Sequence, residues 1–180
     1  MTREDTKILL ATISAFFPNF KVENETFTVN AWFSMFEEYG ADIISKALKT
    51  YVSEGHEFAP NPGTLIQKAF DLMHADEYMS EGEAKGLLIK AIRDGINRSE
   101  EHFNEMPPLL QKAVGSPNII SNLAIGRESE VEDACNRILY SYHAYVERDK
   151  KDRTTPKDVK LFIEQAKGNV AIEDKGGSDV

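Results

Sequence analysis

The sequence predicts an all-α protein, and three observations support that fold class. Apolar residues recur three and four positions apart in nearly every segment, which is the period of an amphipathic helix. Capping residues, prolines and glycines mark starts and ends at intervals of ordinary helix length. No alternating apolar run is long enough to predict a strand. We expect a four-helix N-terminal unit over residues 1–76, a second helical region with one long helix over 80–167, and a disordered tail over 168–180.

Composition limits the classes of function. The chain has 180 residues, 41% of them hydrophobic, a net charge of −9 and one cysteine. A single cysteine excludes an internal disulfide framework, and the negative charge argues against a protein that mainly grips nucleic-acid phosphates. The apolar run Ile8–Phe17 is too short for a membrane span, and the residues before it carry no net positive charge. We therefore expect a cytoplasmic protein without membrane contacts.

The first helices are predicted from caps and apolar stripes. Thr2 and Asp5 form a capping box ahead of the first helix. Thr28 is predicted to cap the second helix and Gly40 to end it. The second helix has an aromatic face, which we interpret as core, with a groove for a partner as the alternative; the face consists of Trp32, Phe33, Phe36 and Tyr39. The third helix ends at Tyr51.

A corner follows between the third and fourth helices. Gly55 supplies the left-handed residue that commonly ends a helix. Phe58 is predicted to be a core residue at the corner, and Pro60 prevents the helix from continuing. Asn61 and Pro62 then restart it, as a cap and a first helical residue.

The second half is predicted in the same way. A capping box at Ser80 and Glu83 opens a fifth helix with Ile96 on its inner face. Short helices follow near residues 99–103, 108–114 and 116–123. The longest helix is predicted to begin at Ser129, and the last helix is predicted to begin at Thr155-Pro156 and to stop at Gly168.

Motifs for catalysis or metal binding are missing from the sequence. There is no phosphate-binding loop, dinucleotide fingerprint, HExxH or CxxC pair. Cys135 lies on the apolar side of the longest helix, which favours a packed thiol over a nucleophile. Asp71 and His74 share a helix face, but two such residues are more simply surface polar groups than a metal site. We expect a protein that is not an enzyme and needs no cofactor.

The segment 147–160 is the most basic part of this acidic chain. Six cations stand against four carboxylates, a net of +2. A solvated helix end is the simplest interpretation, and a partner-binding surface is the alternative. The predicted binding residues are the cations Arg148, Lys150, Lys151 and Arg153, followed by the small apolar face Val159, Phe162 and Ile163.

The order of several short motifs resembles a known family. PNF at 18–20, the WxxMF frame at Trp32, GADIISKALKTY ending at Tyr51 and FAPxxGxLI from Phe58 resemble the N-terminal domain of the phage replicative-helicase loader/inhibitor family. Residues 90–117, with KAIRDG and EEHFNEMPPLLQKAVGSP, and the long helix ending in YSYHAYVERDKK are similar to a segment that follows this domain in many phage proteins.

The resemblance implies a non-enzymatic adaptor for DNA replication. Members of the family bind the host's hexameric replicative helicase, inhibit it and deliver it to the phage replisome organiser at the origin. Their helicase-binding part is the mobile C-terminal region, and their N-terminal domain is a stable helical scaffold. The alternative from another class is a DNA-binding replication accessory protein that acts through the basic segment 147–160.

Overall fold

The structure, a computed structural model, describes the backbone of residues 1–173 and the side chains through Gln165. It confirms the predicted all-α class, since residues 1–173 contain helices and no strand. The helices are α1 (Arg3–Phe16), α2 (Glu25–Phe36), α3 (Ala41–Ser53), α4 (Pro62–Met73), α5 (Glu81–Arg93), α6 (Gly95–Glu105), α7 (Pro108–Val114), α8 (Pro117–Ala124), α9 (Glu128–Thr154) and α10 (Lys157–Glu173). Internal packing divides the chain into two units, one of Met1–Ala75 with the chain from Thr154 onward, and one of Asp76–Arg153.

Helices α1 and α3 lie side by side in the first unit and run in the same direction. The Met1 ammonium donates to the Tyr39 carbonyl just before α3 begins, and the rings of Phe17 and Tyr51 at the far ends are 6.1 Å apart. The core of this unit comes from α1 to α4 and includes Leu9, Ile13, Phe36, Ile44, Leu48, Leu65, Ile66 and Ala69.

The second helix begins earlier than predicted. Asn24, and not Thr28, caps it by accepting from the Phe27 N–H at 3.0 Å. The helix ends at Phe36, and Gly40 is the residue before α3. The prediction failed because an Asx cap and a Thr cap are equally plausible in this polar stretch. Phe36 is fully buried, whereas Trp32 is partly buried and packs against Phe36 with the ring centroids 5.9 Å apart.

The corner between α3 and α4 forms as predicted except at Phe58. Gly55 has φ +77°, and the Asn61 side chain accepts from the first turn of α4, which Pro62 begins. The prediction of Phe58 as a core residue was wrong, because its ring is 70% exposed. The Tyr51 hydroxyl donates to the Phe58 carbonyl at 2.9 Å, so the corner uses the backbone of Phe58, and Pro60 is buried in place of its ring.

The second unit packs α5 to α8 against α9. Its core includes Ala84, Leu88, Ile92, Leu110, Val114, Ile120, Cys135, Leu139, Tyr142 and Val146. The capping box of Ser80 and Glu83 is present. Ile96 is 63% exposed and not an inner residue as predicted, because α5 ends at Arg93 and α6 starts at Gly95.

The boundaries of the last two helices differ from the prediction by small amounts. Helix α9 begins at Glu128 rather than at Ser129, and α10 begins at Lys157, just after Pro156. The predicted stop at Gly168 falls inside α10, which ends at Glu173. The remainder of the predicted tail, residues 174–180, lies outside the described residues.

Candidate functional site

The first candidate surface is one side of α10. Val159, Phe162 and Ile163 follow the helical spacing of three and four positions and therefore share a face. Their side chains are 41%, 71% and 41% exposed. Leu161 is 58% exposed as well, but at about 100° per residue it lies on the opposite side of the helix. An exposed apolar helix face is a typical docking surface for a groove on a partner.

The cations at the end of α9 have partners within the second unit. The Arg153 guanidinium donates to the Glu77 carboxylate and, at 3.1 Å, to the Tyr78 hydroxyl. The Tyr78 hydroxyl donates to Asp149 Oδ2 at 2.6 Å, and Lys150 Nζ lies 5.3 Å from the centre of the Tyr78 ring. Two of the cations predicted to bind a partner, Arg153 and Lys150, thus organise the stretch that leads into α5.

Titration follows from this network. Burial, and then the hydrogen bond to the Asp149 carboxylate, raise the pKa of Tyr78 above its ordinary value. Hydrogen bonds to the Glu77 carboxylate raise the pKa of Arg153. Both groups therefore keep their protons at neutral pH, so the network holds its hydrogen bonds. The remaining predicted cations, Arg148 and Lys151, have exposed side chains on α9.

Helix α10 is held to the first unit at its start. Lys157 Nζ lies 2.8 Å from Glu38 Oε1, and this hydrogen bond raises the pKa of Lys157. Glu38 precedes Tyr39, whose carbonyl accepts from the Met1 ammonium. The first turn of α10 is therefore close to the point where α1 and α3 begin.

A second candidate surface is an open groove between α1 and α3, which the sequence analysis missed. It has a volume of about 350 Å³ and is lined by Met1, Asp5, Ile8, Leu9, Thr12, Phe16, Ala41, Ser45, Leu48 and Lys49. Ile8 and Phe16 on its rim are 61% and 53% exposed. Ile8 was the available signal, because it is apolar yet lies beside the stripe of Leu9 and Ile13 that enters the core.

Other polar groups do not form a chemical site in the described part of the chain. No group of three or more His, Cys, Asp or Glu among these residues could hold a metal ion. Cys135 is 3% exposed, and burial raises the pKa of its thiol, which disfavours the reactive thiolate. The His74 ring packs against Phe70 at 4.3 Å between centroids. Within residues 1–173, no helix combines the length and hydrophobicity needed to cross a bilayer.

Comparison with known proteins gives one match. Residues 1–66 match the family model described as the N-terminal domain of gp39P, just over a third of the chain. No curated protein and no solved structure matches the sequence. The matched region contains the PNF, WxxMF and FAPxxGxLI motifs, so it supports the resemblance of the N-terminal part to the phage helicase loader/inhibitor family. The resemblance of the second half rests on its own motifs.

Proposed function

We propose that this protein is a non-enzymatic adaptor that binds the host's hexameric replicative helicase during phage DNA replication, in the host cytoplasm. The match of residues 1–66 to the gp39P N-terminal domain carries the proposal. On this proposal the adaptor holds the helicase inactive and delivers it to the phage replisome organiser. A protein without a nucleotide site can inhibit an ATPase by occupying the surfaces through which its subunits move.

Helix α10 is the proposed helicase-binding element. Its apolar face is exposed in the free protein, whereas the other long helix, α9, has its apolar side in a core. Phe162 is 71% exposed, and fully burying a phenylalanine side chain contributes about 1.5–3 kcal/mol. With Val159 and Ile163 beside it, the face provides several kcal/mol of gross binding energy, from which the cost of ordering must be subtracted.

The cations of segment 147–160 have a smaller role in this proposal. Arg153 and Lys150 contact groups of the second unit, and Lys157 pairs with Glu38. Exposed Arg148 and Lys151 can steer an acidic partner surface towards α10, which affects the rate of association more than the affinity.

The test is capture of a purified hexameric replicative helicase from a Gram-positive host, with and without ATP. Phe162→Asp places a charge on the proposed face and should lower affinity at least tenfold. Leu161→Asp introduces the same charge into the same helix on the opposite side, and it should bind as the unmodified chain does.

Two results would overturn the assignment. Equal capture by both variants would remove α10 from the interface, and failure of the unmodified chain to bind or inhibit the helicase would reject the adaptor function itself. Strong binding to DNA that weakens steeply with salt would instead support the accessory factor that acts on DNA.

A further inference from the structure

We propose that the α1/α3 groove is a binding site for an amphipathic helix and that its occupant is α10 of the same chain. In this closed form, Val159, Phe162 and Ile163 enter the groove, and α10 is hidden from other partners. In the described arrangement the groove is open, since no residue of α10 lines it, and the apolar face of α10 is exposed.

Proximity is the first argument for this occupant. The Lys157–Glu38 pair fixes the first turn of α10 beside Tyr39, and Tyr39 is bonded to Met1 at one end of the groove. Two non-helical residues, Thr155 and Pro156, separate α10 from α9. A rotation at these residues can lay α10 along the groove without breaking the pair at its start.

Length and polarity also match. The groove extends along α1 from Asp5 to Phe16, about 16 Å at 1.5 Å per residue, and a helix of 17 residues such as α10 measures about 25 Å. The groove has a carboxylate, Asp5, on its α1 wall and an ammonium, Lys49, on its α3 wall. Helix α10 has a cation, Lys160, and a carboxylate, Asp158, on the two flanks of its apolar face.

Both surfaces gain by the contact. The rim residues Ile8 and Phe16 are more than half exposed, as is Phe162, and the closed form removes all three from water. Because the two parts belong to one chain, the contact forms at a high effective concentration and needs little affinity of its own. The expected state is a closed form in equilibrium with an open one.

A disulfide trap in the full-length chain tests the contact directly. Ser45→Cys, in the groove, is combined with Ile163→Cys, on the apolar face of α10. The matched control combines Ser45→Cys with Leu161→Cys, on the far side of the same helix. Native Cys135 is 3% exposed and reacts slowly. Under mild oxidation of dilute protein, the first pair should form an intramolecular disulfide at least tenfold faster than the control pair.

An additional Phe162→Asp substitution should slow the trap, because it places a charge in the apolar contact. Equal rates for the two pairs would overturn the proposal, as would a trap that Phe162→Asp leaves unchanged. A disulfide-linked dimer in place of a cross-linked monomer would also overturn it, since the occupant would then be a second copy.

The regulatory consequence rests on the proposed function. The trapped Ser45/Ile163 protein should lose helicase capture and regain it on reduction, whereas the control pair should capture the helicase throughout. Capture that persists in the trapped protein would reject the masking of α10. If the reduced protein also fails to capture the helicase, the adaptor function is rejected, and the trapping rates still report on the groove.

Discussion

Two glycines of the second unit should respond in opposite directions to the same substitution. A Cβ added at Gly95 would lie 2.9 Å from Ile120 Cγ2, 3.0 Å from the Ile120 carbonyl oxygen and 3.2 Å from Ala124 Cβ. A Cβ added at Gly86 would meet nothing within 4 Å. Gly95 begins α6 where it packs on α8, and Gly86 lies in the interior of α5.

The magnitudes follow from these distances. Gly86→Ala removes the entropic cost of a glycine inside a helix, a gain of about 0.5–1 kcal/mol. Gly95→Ala has at most the same gain, and it forces apart a well-packed contact, which costs about 1–3 kcal/mol. The carbonyl of Ile120 is backbone and cannot rotate away, so the net effect at Gly95 should be a loss on the order of 1 kcal/mol.

Thermal unfolding of the full chain measures both variants. A change of 1 kcal/mol shifts Tm by about 2–4 °C in proteins of 150–250 residues. We expect Tm to rise for Gly86→Ala and to fall for Gly95→Ala, each by a few degrees. An equal rise for both variants would refute the close approach of α6 and α8 at Gly95.

Three further substitutions test the cores and one cap. Phe36→Ala should cost about 3–5 kcal/mol because its ring is fully buried, whereas Phe58→Ala, which is 70% exposed, should change the unfolding free energy by less than about 0.5 kcal/mol; chemical denaturation measures both. Tyr142→Phe should cost about 1–3 kcal/mol, because Tyr142 Oη accepts from the Met79 N–H and donates to the Met79 carbonyl, at 3.1 and 3.2 Å; an unchanged midpoint would refute this. The backbone N–H and hydroxyl of the residue that caps α5 lower the pKa of Glu83, so the destabilisation by Glu83→Gln should be full at neutral pH and disappear as pH falls through that folded pKa; a penalty that persists in acid would contradict it.

Local signals were sufficient for much of the fold. The capping boxes at Thr2 and Ser80, the left-handed Gly55 and the Asn61-Pro62 helix start are recorded in neighbouring residues, and all four are present. Phe58 could not be predicted in this way, since an apolar residue at a corner can face either side. The outcome depended on whether its ring or Pro60 filled the available space.

The candidate site was less predictable because its interactions are distant in sequence. Arg153 contacts Glu77, a residue 76 positions earlier, and no local pattern distinguishes a cation with such a partner from an exposed one. The same holds for the α1/α3 groove, whose two walls come from separate segments. Helical period identifies which residues share a face, but it does not say which faces remain uncovered after packing.

The position at which the chain is truncated decides whether the binding element can be tested alone. A deletion from Arg148 would remove Asp149 and Arg153, which bond to Tyr78, and would therefore disturb the second unit. A deletion of residues 157–180 removes α10 and only the exposed Lys157–Glu38 pair among the salt bridges of the described residues, and such pairs contribute little. We expect this shorter chain to keep its Tm within a few degrees and its helical signal from α1 to α9, and to lose helicase capture. Normal capture by a folded chain without α10 would place the helicase site on the remaining helices.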